Sequence, residues 1–203
     1  MTDSGRVYGG RSEHERRTDR RTRLLNAGLE LLGTDGWQGA TIERLCAAAG
    51  VATRSFYEEF ASREALLLAV YEHVMDGVLD TVLPAVQAAG GSIEDRIRVG
   101  LGGYVTYLTE DPRRAKVVHR EIRVAGVLEN DRHAMVLRFA DVIAKEARLE
   151  SGAEGRVLGL ALAGAVSEVL VDWAAQPEPR PRTEPIVEAL VRLYVAAVTP
   201  VEA

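Results

Sequence analysis

Apolar residues recur at three- and four-residue spacing almost from end to end of this 203-residue chain. No segment alternates apolar and polar residues between Asn-Gly or Asp-Gly turns, so nothing in the pattern favours a sheet. The period predicts an all-α protein of about nine helices, an N-terminal three-helix unit followed by a larger helical domain. At this length the fold buries roughly 70% of the surface that the unfolded chain exposes, and it needs no disulfide or metal to hold it.

Caps and breakers divide the pattern. Residues 1–15 have little apolar content and read as a disordered basic arm, and 16–62 as the first folded unit. A first helix is expected from about Thr18 to Thr34, with Leu24, Leu25, Leu29 and Leu32 on its apolar face and Asp35-Gly36 closing it. Thr41 is a good cap for a second helix, and Gly50 permits the tight turn that follows it. Thr53 reads as the cap of a very short third helix ending near Phe60, and Ser62 as the cap of a long one stopping at Pro84. Residues 63–203 then read as the second domain. Its helices begin near Ser92, at Asp111-Pro112, near Asp131, near Ala153 and near Glu184, and a proline-rich linker covers 177–182.

Net charge is −5, yet its distribution is lopsided. Residues 1–25 hold seven arginines against four acids, whereas 64–203 hold 15 basic and 21 acidic residues. A basic head on an acidic body grips a polyanion at one end only. The lone cysteine, Cys46, sits in an apolar helical context and fits a reducing cytoplasm. The arginine-rich start lacks the apolar core of a signal peptide, and the stretch from Val157 to Val171, broken by Ser167 and Glu168, reads as too short to span a bilayer. No Gly-rich phosphate loop, paired-His metal motif or nucleophile elbow is present, and the four histidines are far apart. No catalytic residue, cofactor, metal site or membrane partner is expected.

The third helix carries the chemistry. Phe56 and Phe60, four apart, share one face and anchor it; Arg54, Ser55 and Glu58 fall opposite, with Tyr57 and Glu59 on the flanks. So short a helix persists only when packed on its neighbours, as a recognition helix is when it is held against a major groove. Arg54 suits guanine or a phosphate, Ser55 allows close approach, and the Tyr57 hydroxyl suits a phosphate. Thr41, Thr53 and Arg63, at helix starts, can clamp backbone phosphates, although the threonines also serve simply as caps. Glu58 and Glu59 would repel phosphate; Glu58, four residues after Arg54, is expected to orient that guanidinium.

The stretch Arg23–Trp37, with Ala40-Thr41-Ile42, Ala49-Gly50-Val51, Phe56–Phe60 and Ser62–Leu66, resembles the DNA-binding domain of the tetracycline-repressor (TetR) family. The resemblance covers roughly residues 17–66. It implies a ligand-responsive transcriptional regulator, a repressor that binds a pseudo-palindromic operator on double-stranded DNA as a homodimer and is released by a small molecule. By position it points to Thr41, Arg54, Ser55, Tyr57 and Arg63 as DNA contacts. The N-terminal arm, through Arg11 or Arg16, either reaches a minor groove or remains a solvated tail.

The second domain carries weaker signals. Small residues (Gly159, Ala161, Ala163, Gly164, Ala165) in the helix over about 153–175 and an apolar face over about 184–198 suit a two-fold four-helix interface, with packing inside one chain as the alternative. Candidate effector contacts are Tyr104, Tyr107, His119, Arg123, Met135, Phe139, Glu168 and Trp173. Two rivals stand beside this reading: an enzyme, and a dimer whose DNA-binding has decayed, to which Glu58 and Glu59 lend some weight.

Overall fold

A computed structural model describes residues 12–125 and 153–199, and between them Ala134, Leu137, Ala140 and Asp141. Every regular element among the described residues is helical. The first helix, α1 (Glu13–Thr34), begins earlier than the apolar period indicated. Ser12 and Glu15 form a reciprocal capping box, which satisfies two N–H groups that a helix start leaves open and draws the polar turns before Thr18 into the helix. A single turn unread in the sequence, α2 (Gly36–Gly39), seats Trp37 in the core.

Thr41 caps α3 (Ile42–Ala49), and Gly50 ends it in the left-handed region at φ 62°. In α4 (Thr53–Glu59) the cap position falls on Ala52, with no side-chain bond, so Thr53 is the first helical residue and not the expected cap. Ser62 caps α5 (Arg63–Ala88) by accepting from Ala65 N. That helix does not stop at Pro84. Both Pro84 and Asp80, whose carbonyl the missing N–H would have bonded, are exposed, so water replaces the lost partner and the helix continues.

The larger domain continues with α6 (Ile93–Glu110), α7 (Pro112–Lys116), a π-helical turn π1 (Val117–Glu121) and α8 (Ile122–Val124). After residues 126–152 come α9 (Ala153–Ala175) and α10 (Glu184–Val198). The helix expected near 131–149, like residues 1–11 of the arm expected over 1–15, lies outside the described residues save for the four named above.

One continuous core runs from Leu24 and Phe56 through Val70, Val105 and Val117 to Leu170 and Tyr194. α1 packs on α3, α5 and α7, and α6 lies between α5 and α10, so α1 and α5 both join the small unit to the large one. By length and composition Gly155–Ala175 could cross a membrane, longer than the apolar stretch read from sequence; about one third of it is buried within the chain.

Candidate nucleic-acid interface and effector pocket

Phe56 is wholly buried and Phe60 lies behind it, their rings 5.9 Å apart, with the Arg21 guanidinium 4.6 Å over Phe60. These anchors turn the other side of α4 outward. Thr53, Arg54, Tyr57 and Glu58 are exposed, and Ser55 is half-buried. Arg54 stands clear of the surface with its Nε 3.5 Å from Glu58 Oε1, the orienting pair expected from their spacing. Tyr57, 55% exposed, meets Phe56 edge-on at 5.5 Å and faces an open cleft of about 360 Å³. The starts of α3 and α5 form the rest of that cleft, with Ile42, Glu43, Ser62 and Arg63 in its wall.

Thr41 Oγ1 accepts from Arg44 N at 3.4 Å and so remains a cap. Arg63 points partly inward. Its guanidinium lies 3.7 Å over the Trp37 ring, and Nη1 donates to Trp37 O at 3.2 Å. A guanidinium has five N–H donors, so this bond leaves others for a phosphate.

Glu59 does not repel anything on the outer face. Its side chain is 1% exposed, with Arg20 Nη2 at 2.6 Å and Arg17 Nε at 3.3 Å. Arg20 also approaches Glu58 at 3.7 Å. Sequence periodicity placed Glu59 on a flank but held no sign of two arginines arriving from α1. Arg23 was missed as a structural group as well: its Nη1 donates to Ala49 O at 3.0 Å and Gly50 O at 3.2 Å, tying α1 to the turn before α4.

In the larger domain a cavity of about 120 Å³ opens between α5, α6, π1, α8 and α9. Tyr104, His119 and Arg123, three of the candidates read from the sequence, line it. Ser167, unread in the sequence, joins them. It accepts from Arg123 Nη2 at 3.1 Å and shares a hydrogen bond with His119 Nδ1 at 3.0 Å, while His119 Nε2 lies 3.4 Å from the Tyr104 hydroxyl. Burial, with Arg123 adding to it, lowers the His119 pKa to about 3, so this imidazole is neutral. Tyr71, Met75, Ile122, Leu160 and Gly164 complete much of the wall. Tyr71 and Met75 sit four apart, a spacing that ordinary core packing also produces, so the sequence could not single them out.

Three other candidates fall elsewhere. Glu168 is exposed and paired with Arg123 at 2.6 Å, outside the cavity wall. Tyr107 packs against Gly77 under the Arg114 guanidinium, 4.2 Å away. Trp173 is buried and donates to Pro181 O at 2.9 Å, pinning the linker. Met135 and Phe139 lie outside the described residues.

Residues 24–70 match the pattern of the family described as bacterial regulatory proteins, tetR family. Over that stretch the chain matches the TetR family. Among curated relatives, the uncharacterised HTH-type transcriptional regulator YezE of Bacillus subtilis is 27% identical over 47% of this chain and 48% of its own. The HTH-type transcriptional activator FasR of Mycolicibacterium smegmatis is 24% identical over 72% of this chain and 69% of its own. The chain thus spans about half the length of YezE. TetR-type folds agree along most of the chain. The fatty acid degradation regulator FadR of Bacillus halodurans superposes with TM-score 0.76 at 16% identity, covering 87% of this chain and 94% of that one. FadR of Bacillus subtilis, solved with stearoyl-CoA, gives 0.75 at 14%, covering 88% and 99%. AibR, solved with isovaleryl coenzyme A and operator DNA, gives 0.64 at 19%, covering 86% and 97%.

Proposed function

We propose that the chain is a ligand-responsive transcriptional repressor. As a homodimer it binds a pseudo-palindromic operator, and a small molecule in the His119–Arg123 cavity releases it. One observation carries this reading: α4 offers Thr53, Arg54, Ser55 and Tyr57 outward while Phe56 holds it in the core. The domain boundaries follow that division, with 16–62 as the DNA-binding unit and 63–203 as the effector and dimerisation unit. Thr41 and Arg63 flank α4 as phosphate contacts. The dimer pairs α9 and α10 of two subunits; the apolar α9 stretch that is only one third buried within the subunit supports this, as do exposed Val157 and Leu193.

The effector has an apolar part, for the Met75, Ile122 and Leu160 walls, and a head that hydrogen-bonds near Arg123 and Ser167. Stearoyl-CoA and isovaleryl-CoA, bound by two proteins of the same fold, are the first probes. A ligand that prefers a dimer with wrongly spaced recognition helices lowers operator affinity by that preference and no more. FasR is named an activator, which makes activation the second reading.

Selection of bound duplexes from a random pool tests the proposal. A paired-half-site sequence should emerge, with log affinity falling linearly against log salt. A folded dimer that prefers no duplex at low ionic strength would rule the reading out. A reporter downstream of the recovered site separates repression from activation by its sign.

A further inference from the structure

The α7–π1 segment is fastened along the end of α1 and the start of α2. Arg113 pairs with Glu30, and its side chain leaves no room for a Cβ at Gly33. One turn on, Lys116 Nζ donates to Thr34 O at 2.9 Å. At the far end of π1, Glu121, buried though acidic, accepts from Trp37 N at 2.7 Å. Arg120, its other charged neighbour, is mostly exposed with Nε 3.8 Å away.

The Trp37 peptide is therefore held from both sides. Its N–H is bound by Glu121 of the larger domain, and its carbonyl by Arg63, which also stacks on its ring. Arg63 begins α5 and shares the cleft beside Tyr57 with it. On the same π-helical turn His119, two residues before Glu121, faces the opposite way, into the cavity with Ser167 and Tyr104. One short segment thus touches the cavity with one side and the DNA-contacting unit with the other. A π turn is a single wide turn in an otherwise α-helical run, so a small displacement there changes the register of its side chains.

Taking the proposed function as its ground, we propose that Glu121 is a positioning residue for the DNA-contacting unit. Its bond to the Trp37 N–H transmits occupancy of the His119 cavity to Arg63 and the base of α4. This route runs through α7 and π1, beside the one that α5 provides by joining Arg63 to the cavity. A carboxylate, or another carbonyl acceptor of the same length, suffices for it; the charge of Glu121 is not required.

Gly164 supplies a test without a known effector, because it lines the cavity and a Cβ built there meets nothing within 4 Å. Gly164→Leu fills part of the space from α9; because Gly164 is exposed and also belongs to the small residues of the proposed dimer face, only variants that sediment as the parent does are compared. The full-length protein would carry Gly164→Leu alone and combined with Glu121→Gln or Glu121→Ala. Exchange of the Trp37 amide is read without DNA, and affinity for the selected duplex with it. We expect Gly164→Leu to speed Trp37 amide exchange and weaken duplex binding at least about fivefold, a modest allosteric coupling. The shift should survive with Glu121→Gln, which keeps the carbonyl acceptor, and shrink below about twofold with Glu121→Ala. An equal shift in the Glu121→Ala background overturns the proposal, as does a Trp37 amide indifferent to Gly164→Leu. Glu121→Gln that behaves like Glu121→Ala overturns it too. Failure of every form to bind any duplex speaks against the proposed function, while the amide measurement still decides the role of Glu121.

Discussion

Arg20 Nη2 stands 2.6 Å from Glu59 Oε1, a contact across 39 residues that turns the last acid of α4 into the fold. The pair decides what α4 shows to a polyanion. With Glu59 inside, Glu58 is the acid left outward on this helix, and Arg54 and Arg20 both approach it. Removing one partner of a buried pair leaves an uncompensated charge, at a cost of about 3–5 kcal/mol in full burial. Arg20 is partly exposed and Arg17 also contacts Glu59, so Arg20→Ala should destabilise by only about 1–3 kcal/mol. Urea unfolding monitored by circular dichroism measures it. An unchanged midpoint would mean that Glu59 finds water instead.

Substitutions on the outer face should spare the fold and weaken DNA binding. Arg54→Ala removes an exposed guanidinium paired with Glu58, so the thermal midpoint should stay within about 2 °C, as for surface changes generally. Duplex affinity should fall by about 1–3 kcal/mol, with relaxed preference at one base pair if Arg54 reads guanine. Tyr57→Phe should weaken all duplexes alike, because a phosphate contact carries no sequence information. Binding isotherms on the selected duplex and on single-base variants separate the two patterns. Phe56→Ala serves as the contrast, since emptying a wholly buried site should cost about 3–5 kcal/mol of stability.

Legibility in the sequence followed the range of the interaction. Thr41 and Ser62 cap where expected, and Phe56 and Phe60 anchor α4, because each effect is decided within four residues. Capping also explains an error: the box between Ser12 and Glu15 was readable, yet without an apolar stripe those turns passed for an arm. Glu59 and Glu121 were beyond reach, since their partners lie 39 to 42 and 84 residues away. In the cavity, the spacing of His119 and Arg123 predicted a shared face, whereas Ser167, which joins them, comes from 44 residues or more along the chain. Tyr107 and Trp173 show that aromatic type alone does not tell a pocket from a core, since a ring fits either.

At Gly33 the larger domain sits directly on α1. A Cβ there would overlap the Cβ and Cα of Arg113, and backbone atoms cannot swing aside as a side-chain tip can. Gly33→Ala should therefore part α7 from α1, outweighing the gain of about 1 kcal/mol that alanine usually brings to a helix. A net loss of about 1–3 kcal/mol is expected from overpacking. Faster exchange of the Trp37 amide should accompany it, because the same segment carries Glu121. A variant as stable as the parent, measured by thermal unfolding, would show that this contact gives way easily.

His119 makes stability depend on pH in a definite direction. Its pKa is about 3 in the fold, against an ordinary value of 6.5, because burial and then Arg123 disfavour the imidazolium. Above pH 6.5 the ring is neutral in both the folded and unfolded chains, and its contribution is constant. As pH falls from 6.5 toward 3, the unfolded chain takes a proton that the folded one refuses, so stability declines. The limiting slope is about 1.4 kcal/mol per pH unit, and the loss stops near pH 3, where the folded form also protonates. Other groups titrate in this window, so the informative quantity is the difference between the parent and His119→Gln. An amide keeps hydrogen-bonding capacity toward Ser167 and Tyr104 but has no proton to gain. The stability gap between the two proteins should narrow steadily from pH 7 to pH 4 and then invert or close. A gap independent of pH, by denaturant titration at each step, would mean that the imidazole protonates within the fold without cost.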